Sequence, residues 1–215
     1  MRIDPAEAAH LILAGQALPP EWIPHITDLR LERSYLSDLA PLSALTHLRQ
    51  LHLTRSRISD IAPLSPLVHM QSLHLSFTAV RDLSPLAHMR ELQACFLTGT
   101  LVTDIAPLTG LTRLERIDLG DTPIIDASPL SNLPNLHCLD LSNTTIRDIT
   151  ALAKLTALEY LDLTNTKVTD LTPLAALTNL RRIDLRGVSA DPAALARLPH
   201  CKIVTVATPP RRRRH

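Results

Sequence analysis

Ten histidines, three cysteines and a column of aspartates are the side chains of this chain that could carry chemistry. His52 and His74 stand 22 residues apart. In a repeating structure that interval could bring two imidazoles onto one metal ion, but two are an incomplete site and no third ligand is evident near them. Both histidines could titrate near neutrality, so a pH-sensitive contact is the more natural expectation. His137 and Cys138 are adjacent, and neighbouring strand residues face opposite ways, so they make no thiol–imidazole pair. Asp118, Asp140, Asp162 and Asp184 repeat at the same interval of 22. They read as solvent-facing carboxylates, as an acidic stripe for a basic partner, or as calcium ligands. Like charges so placed raise one another's pKa unless Arg116, Lys167, Arg182 and Arg186 flank them. There is no glycine-rich phosphate loop, no H-x-x-x-H and no G-x-S-x-G, and the chain has only five glycines. No catalytic residue, cofactor or metal is expected, and the protein is not read as an enzyme.

The interval of 22 governs the whole chain. Copies of one unit begin at Ile26, Leu48, Met70, Leu92, Leu114, Leu136 and Leu158, and an eighth decays after Leu180. Positions 1, 4, 6, 11, 14, 17 and 20 of every full copy are apolar, with Cys95 and Ala127 the small ones. A fixed period with L-x-x-L-x-L-x-x-[ST]-x-[IV] marks a leucine-rich repeat, in which each copy adds a rung to a solenoid. Positions 3 to 7 should form a short strand, with 4 and 6 inward and 3, 5 and 7 on the opposite face. Asp at position 13 of all seven copies, and Pro at 16 in six of them (Ala151 is the exception), predict a capped tight turn or 3-10 segment on the return side. The Asp side chain should accept from the amide at position 15. The Ser or Thr at position 9 should form a buried polar ladder bridging adjacent rungs.

Residues 1–25 read as a helical cap. Asp4-Pro5-Ala6-Glu7 is an N-cap, a proline at the first helical position and an acid reaching back; the helix should stop at Gly15. Ala8, Leu11, Ile12 and Trp22 should cover the first rung. Repeats occupy 26–190, a second cap with a short helix at Asp191 and a strand after Cys201 occupies 191–207, and 208–215 is a basic flexible tail. The expected class is therefore α/β, a solenoid with one parallel sheet.

Net charge is +1, but Arg211 to Arg214 lie in the tail, and without those four the body has 18 basic against 21 acidic residues. A mildly acidic body disfavours nucleic acid. Three widely spaced cysteines suit a reducing compartment. The apolar run from Ala8 to Ala14 reads as helix rather than export signal, and no stretch approaches the roughly 18 apolar residues of a membrane span. A bacterial cytoplasmic adaptor, or an effector delivered to a host cell without a signal peptide, both fit.

Ile58-Ser-Asp-Ile61-Ala-Pro-Leu64 and Val168-Thr-Asp-Leu171-Thr-Pro-Leu174 resemble the 22-residue repeats of internalins and of the regulatory subunit of protein phosphatase 1. The resemblance spans residue 26 to about 190 and implies a right-handed curved solenoid whose parallel sheet lines the concave face and which binds proteins. Position 9 departs from it, with Ser or Thr where internalins usually carry Asn.

The aliphatic pattern leaves its few aromatics outside the core. Tyr35, Phe77, Phe96 and Tyr160 fall at positions 10, 8, 5 and 3, and Phe77 and Phe96 lie on neighbouring rungs. Aromatic anchors on a polar face are what dominates interface energy. The expected partner-binding patch is Arg30, Tyr35, His52, Arg55, His74, Phe77 and Phe96, reinforced by Arg33 and Arg57. The acidic row with Tyr160 is a secondary candidate. The partner is expected to be a protein; self-association, as a structural scaffold or a consensus-like engineered repeat, is the alternative.

Overall fold

The computed structural model describes residues 3–198 and 200–205. Helix α1 spans Pro5–Leu13 and is followed by nine three-residue strands: β1 Asp28–Arg30, β2 Gln50–His52, β3 Ser72–His74, β4 Ala94–Phe96, β5 Arg116–Asp118, β6 Cys138–Asp140, β7 Tyr160–Asp162, β8 Arg182–Asp184 and β9 Lys202–Val204. They form one parallel sheet in sequence order, and from β1 to β8 each residue pairs with the one 22 further on. The strands cover positions 3 to 5 rather than 3 to 7. The ladder nevertheless runs on: Leu53 N donates to His74 O (2.8 Å) and Arg55 N to Ser76 O (2.9 Å).

The return side of each rung is a 3-10 segment, as in Ala62–Leu64 and Thr172–Ala176. In all seven full rungs the position-13 Asp accepts from the position-15 amide at 2.7–2.8 Å, as expected. Capping an amide that opens a tight turn is worth about 1 kcal/mol. The rung with Ala151 in place of proline forms its segment all the same, Thr150–Lys154, so the Asp cap rather than the ring sets the turn.

The repeat leucines, isoleucines and valines fill the interior, and Leu36 is the one repeat position only partly buried. The position-9 hydroxyls differ from expectation. Each donates at 2.5–2.8 Å to the position-6 carbonyl of its own rung, not to a neighbouring rung. The reason is the sharp turn at position 8, which folds position 9 back beneath position 6; Thr100 N also donates to Leu97 O.

At the N-terminal end Asp4 accepts from Ala6 N (2.9 Å), and Gly15 closes the helix at φ +68°. Ala8, Ala9 and Ile12 are buried against the first rung and Trp22 packs beside them, whereas Leu11 stays partly exposed. At the other end Asp191 caps the 3-10 segment Pro192–Leu195, and β9 pairs with β8. The basic tail from Thr208 lies outside the described residues.

Candidate binding surface on the sheet

Register builds the surface. Position 5 of successive rungs brings Arg30, His52, His74, Phe96, Asp118, Asp140, Asp162 and Asp184 into one column. Strands about 4.8 Å apart hold flat side chains near stacking distance. His52 and His74 stack with centroids 4.0 Å apart, and His74 and Phe96 at 4.2 Å, with interplanar angles of 18° and 13°. The Arg116 guanidinium lies 5.4 Å from the Phe96 ring and 3.2 Å from Asp118, joining the ring stack to the acidic column.

This stacking bears on both histidine expectations. The lone pairs of nearly parallel imidazoles lie in separate planes and do not converge on one ion. Among the described residues no three His, Cys, Asp or Glu side chains are grouped to hold a metal. His74 does not titrate near neutrality. Burial and the charge of His52 lower His74 to about 4, against the small opposing pull of Glu32 and Asp28. Burial and Arg30 lower His52 as well. The His74 ring is neutral at pH 7, and the two stacked rings present a flat, weakly polar surface. Ser72 Oγ lies 3.0 Å from His74 Nε2, and His52 Nδ1 lies 3.8 Å from Glu32.

A second column flanks the first. Position 8 is left-handed in every rung: Arg33, Arg55, Phe77, Gly99, Asp121, Asn143, Asn165 and Gly187, with φ from +53° to +73°. Its N–H still donates to the position-7 carbonyl of the next rung, as from Phe77 to Thr98 O at 2.7 Å. Rungs 4 to 8 use Gly, Asp and Asn, which enter this region readily; rungs 1 to 3 use two arginines and a phenylalanine, which do not. The Arg55 guanidinium sits 5.1 Å from the Phe77 ring. That ring in turn lies flat over Gly99, where an added Cβ would come within 2.6 Å of it. Between the columns is an open cavity of about 600 Å³ lined by Glu32, Arg33, His52, Thr54, Arg55, His74 and Phe77.

The structure thus brings together His52, Arg55, His74, Phe77 and Phe96, with Arg30 at the head of the column. It sets Tyr35 apart: that ring, 81% exposed, lies under Arg57 at 4.6 Å and lines a different cavity with Ile12, Leu13 and Asp38. The left-handed row was missed in the sequence, although Gly, Asp and Asn recurring at one position was the signal for it.

The acidic column is more internally satisfied than a docking stripe requires. Asp140 and Asp162 accept from the amides of Ser142 and Thr164, each at 2.8 Å. Asp184 is fully buried and takes Arg186 Nε at 2.8 Å and Thr164 Oγ1 at 3.0 Å. Burial pushes its carboxyl up, but the Arg186 and Thr164 hydrogen bonds prevail and hold it below the usual range. Asp118 is raised instead, by burial first, with Asp140 adding and Arg116 opposing. Arg116, Arg182 and Arg186 flank the column as expected; Lys167 makes no ion pair among the described residues. Tyr160 lies at 5.8 Å from Arg182 with its hydroxyl 3.4 Å from Asp162. The thiols are unpaired, and burial pushes Cys95 up to about 12, which makes it inert.

Stacked rungs, an Asp-capped return and a parallel sheet of position-5 side chains define a leucine-rich-repeat solenoid. A family model described as Leucine Rich repeats (2 copies) matches residues 112–154 and 134–176. Internalin C2 from Listeria monocytogenes str. 4b F2365 superimposes with TM-score 0.86 at 28% identity, covering 94% of this chain and 92% of that one. An internalin (InlF) from the same strain gives 0.65 at 24% identity over 94% and 74%, and a leucine-rich-repeat protein of Leptospira interrogans gives 0.77 at 22% over 87% and 51%. No curated protein matches the sequence significantly. The chain is a leucine-rich-repeat solenoid, similar in fold to the internalins. Among its described residues no helix is long and apolar enough to cross a membrane.

Proposed function

We propose that this chain is a non-catalytic protein–protein interaction module, and that it binds its partner with the first four rungs of its concave sheet face. The observation that carries this reading is the His52–His74–Phe96 stack lying beside the open cavity lined by Arg55 and Phe77. Flat rings beside a guanidinium, with little freedom to lose on binding, are the composition of interface hot spots. Arg30 extends the patch at its N-terminal end, and Tyr35 with Arg57 offers a separate flanking contact. Asp118, Asp140, Asp162 and Tyr160 are the secondary surface, weakened by the hydrogen bonds that already occupy Asp140 and Asp162; Asp184, expected in the same row, is fully buried against Arg186 and offers a partner nothing. The binding proposed involves no cofactor, metal or nucleic acid. The three unpaired thiols support a reducing compartment, the cytoplasm of a bacterium or of a host cell reached by delivery.

The test is affinity capture with the wild type and with a folded Phe77→Ser, Phe96→Asp variant. A protein lost only with the variant supports the reading; identical captures with both refute it. Light scattering over a dilution series separates the alternative, since a self-associating scaffold loses mass on dilution and a binder of other proteins does not.

A further inference from the structure

We propose that rungs 1 to 3 form a seat for an acidic peptide segment of the partner, with Arg33 and Arg55 receiving its carboxylates. This rests on the reading of the sheet face as a protein-binding surface and adds the chemistry of what it binds.

Charge comes first. Arg33 and Arg55 occupy one column on adjacent rungs, about 4.8 Å apart along the sheet, where two like charges repel unless an anion lies between them. Both are exposed, and neither makes an ion pair among the described residues. Asp28 is directed to Arg30 (3.7 Å), and Glu32, the one carboxylate among the residues lining the cavity, is outnumbered there by Arg33 and Arg55. His74 on the cavity wall is neutral at pH 7, and the positive potential comes from Arg33 and Arg55, which hold their charge at any working pH.

Backbone conformation comes second. The same turn is made in rungs 5 to 7 by Asp121, Asn143 and Asn165, residues suited to it. Placing Arg33, Arg55 and Phe77 there strains three consecutive turns, and no buried contact of the two arginines compensates for it. Strain that persists without a packing return is characteristic of sites kept for binding. The surrounding surface then supplies the rest of the seat. Phe77, 48% exposed, and the stacked rings offer apolar contact for side chains that alternate with the carboxylates of an extended segment.

The experiment follows the fluorescence anisotropy of a fluorescein-labelled peptide of repeating Glu-Ser-Leu titrated with the full chain, with repeating Gln-Ser-Leu as control. An Arg33→Asn, Arg55→Asn variant removes the charges while keeping residues that favour the left-handed turn, so it folds. The acidic peptide should bind the wild type, bind the variant roughly 100-fold more weakly, and weaken as salt rises from about 50 to about 500 mM. The Gln peptide should not bind. Failure of the Glu peptide to bind, equal affinity for wild type and variant, or equal binding of the Gln peptide would each overturn the proposal. If the proposal fails while Phe77→Ser, Phe96→Asp still abolishes partner capture, the sheet-face reading survives without its acidic ligand. If capture is also unchanged by that substitution, both fall.

Discussion

Replacing Arg55 by Asn should stabilise the protein, although it removes a side chain from a binding surface. Arg55 stands at φ +60°, in a region where a side chain bearing Cβ costs about 1 kcal/mol and Asn costs less. The substitution gives up the cation–π contact with Phe77 at 5.1 Å, worth about 0.5 kcal/mol at an exposed site. The balance is a gain of roughly 0.5 kcal/mol, or about 1–2 °C in Tm for a domain of this size. The converse change tests the same physics without touching the patch. Asp121 holds the equivalent turn at φ +56°, and Asp121→Arg should cost about 1 kcal/mol. Urea titrations followed by circular dichroism read both as midpoint shifts at constant slope. A lower midpoint for Arg55→Asn together with an unchanged one for Asp121→Arg would refute the claim that this column is strained in its first rungs and relaxed in its later ones.

Two further outcomes follow from the interior and the ring stack. Leu119 is fully buried in the middle of the solenoid, and Leu119→Ala should cost about 2–5 kcal/mol by urea unfolding, where a neutral result would contradict the inward register. His74 is held down to about 4 against 6.5 unfolded, so acid protonates the unfolded chain first. Stability should be complete above pH 6.5 and decline between about 6.5 and 4. His74→Phe, which keeps a flat ring in the stack, should flatten that decline in Tm against pH, and an unaltered slope would remove His74 as its source.

Much of the fold was legible because period and chemistry coincided. Leu51 and Leu53 had to point inward together, and Asp60 had one amide within reach, at position 15 of its rung. The position-9 hydroxyls were misplaced because the left-handed turn before them cannot be read from Arg55 or Phe77, residues that avoid it. Gly99 and Asn143 in the same column carried that information. The ionisation of His74 was out of reach for another reason. Its low pKa arises from the burial and the His52 ring that register creates, whereas sequence alone gives only the value of a free imidazole. Tyr35 was grouped with Phe77 by composition, and only the path of the chain beyond position 8 shows that it faces elsewhere.

The most direct test of the sheet-face reading is photo-crosslinking with a benzophenone amino acid placed singly at Phe96, Asp140 or Ile125. Phe96 belongs to the ring stack, Asp140 to the acidic column, and Ile125 is 70% exposed away from both. Illumination in extract should give a discrete adduct of higher mass from the probe at Phe96, a weaker one or none from Asp140, and none from Ile125. An adduct confined to the Ile125 probe would place the partner off the sheet face and contradict the account.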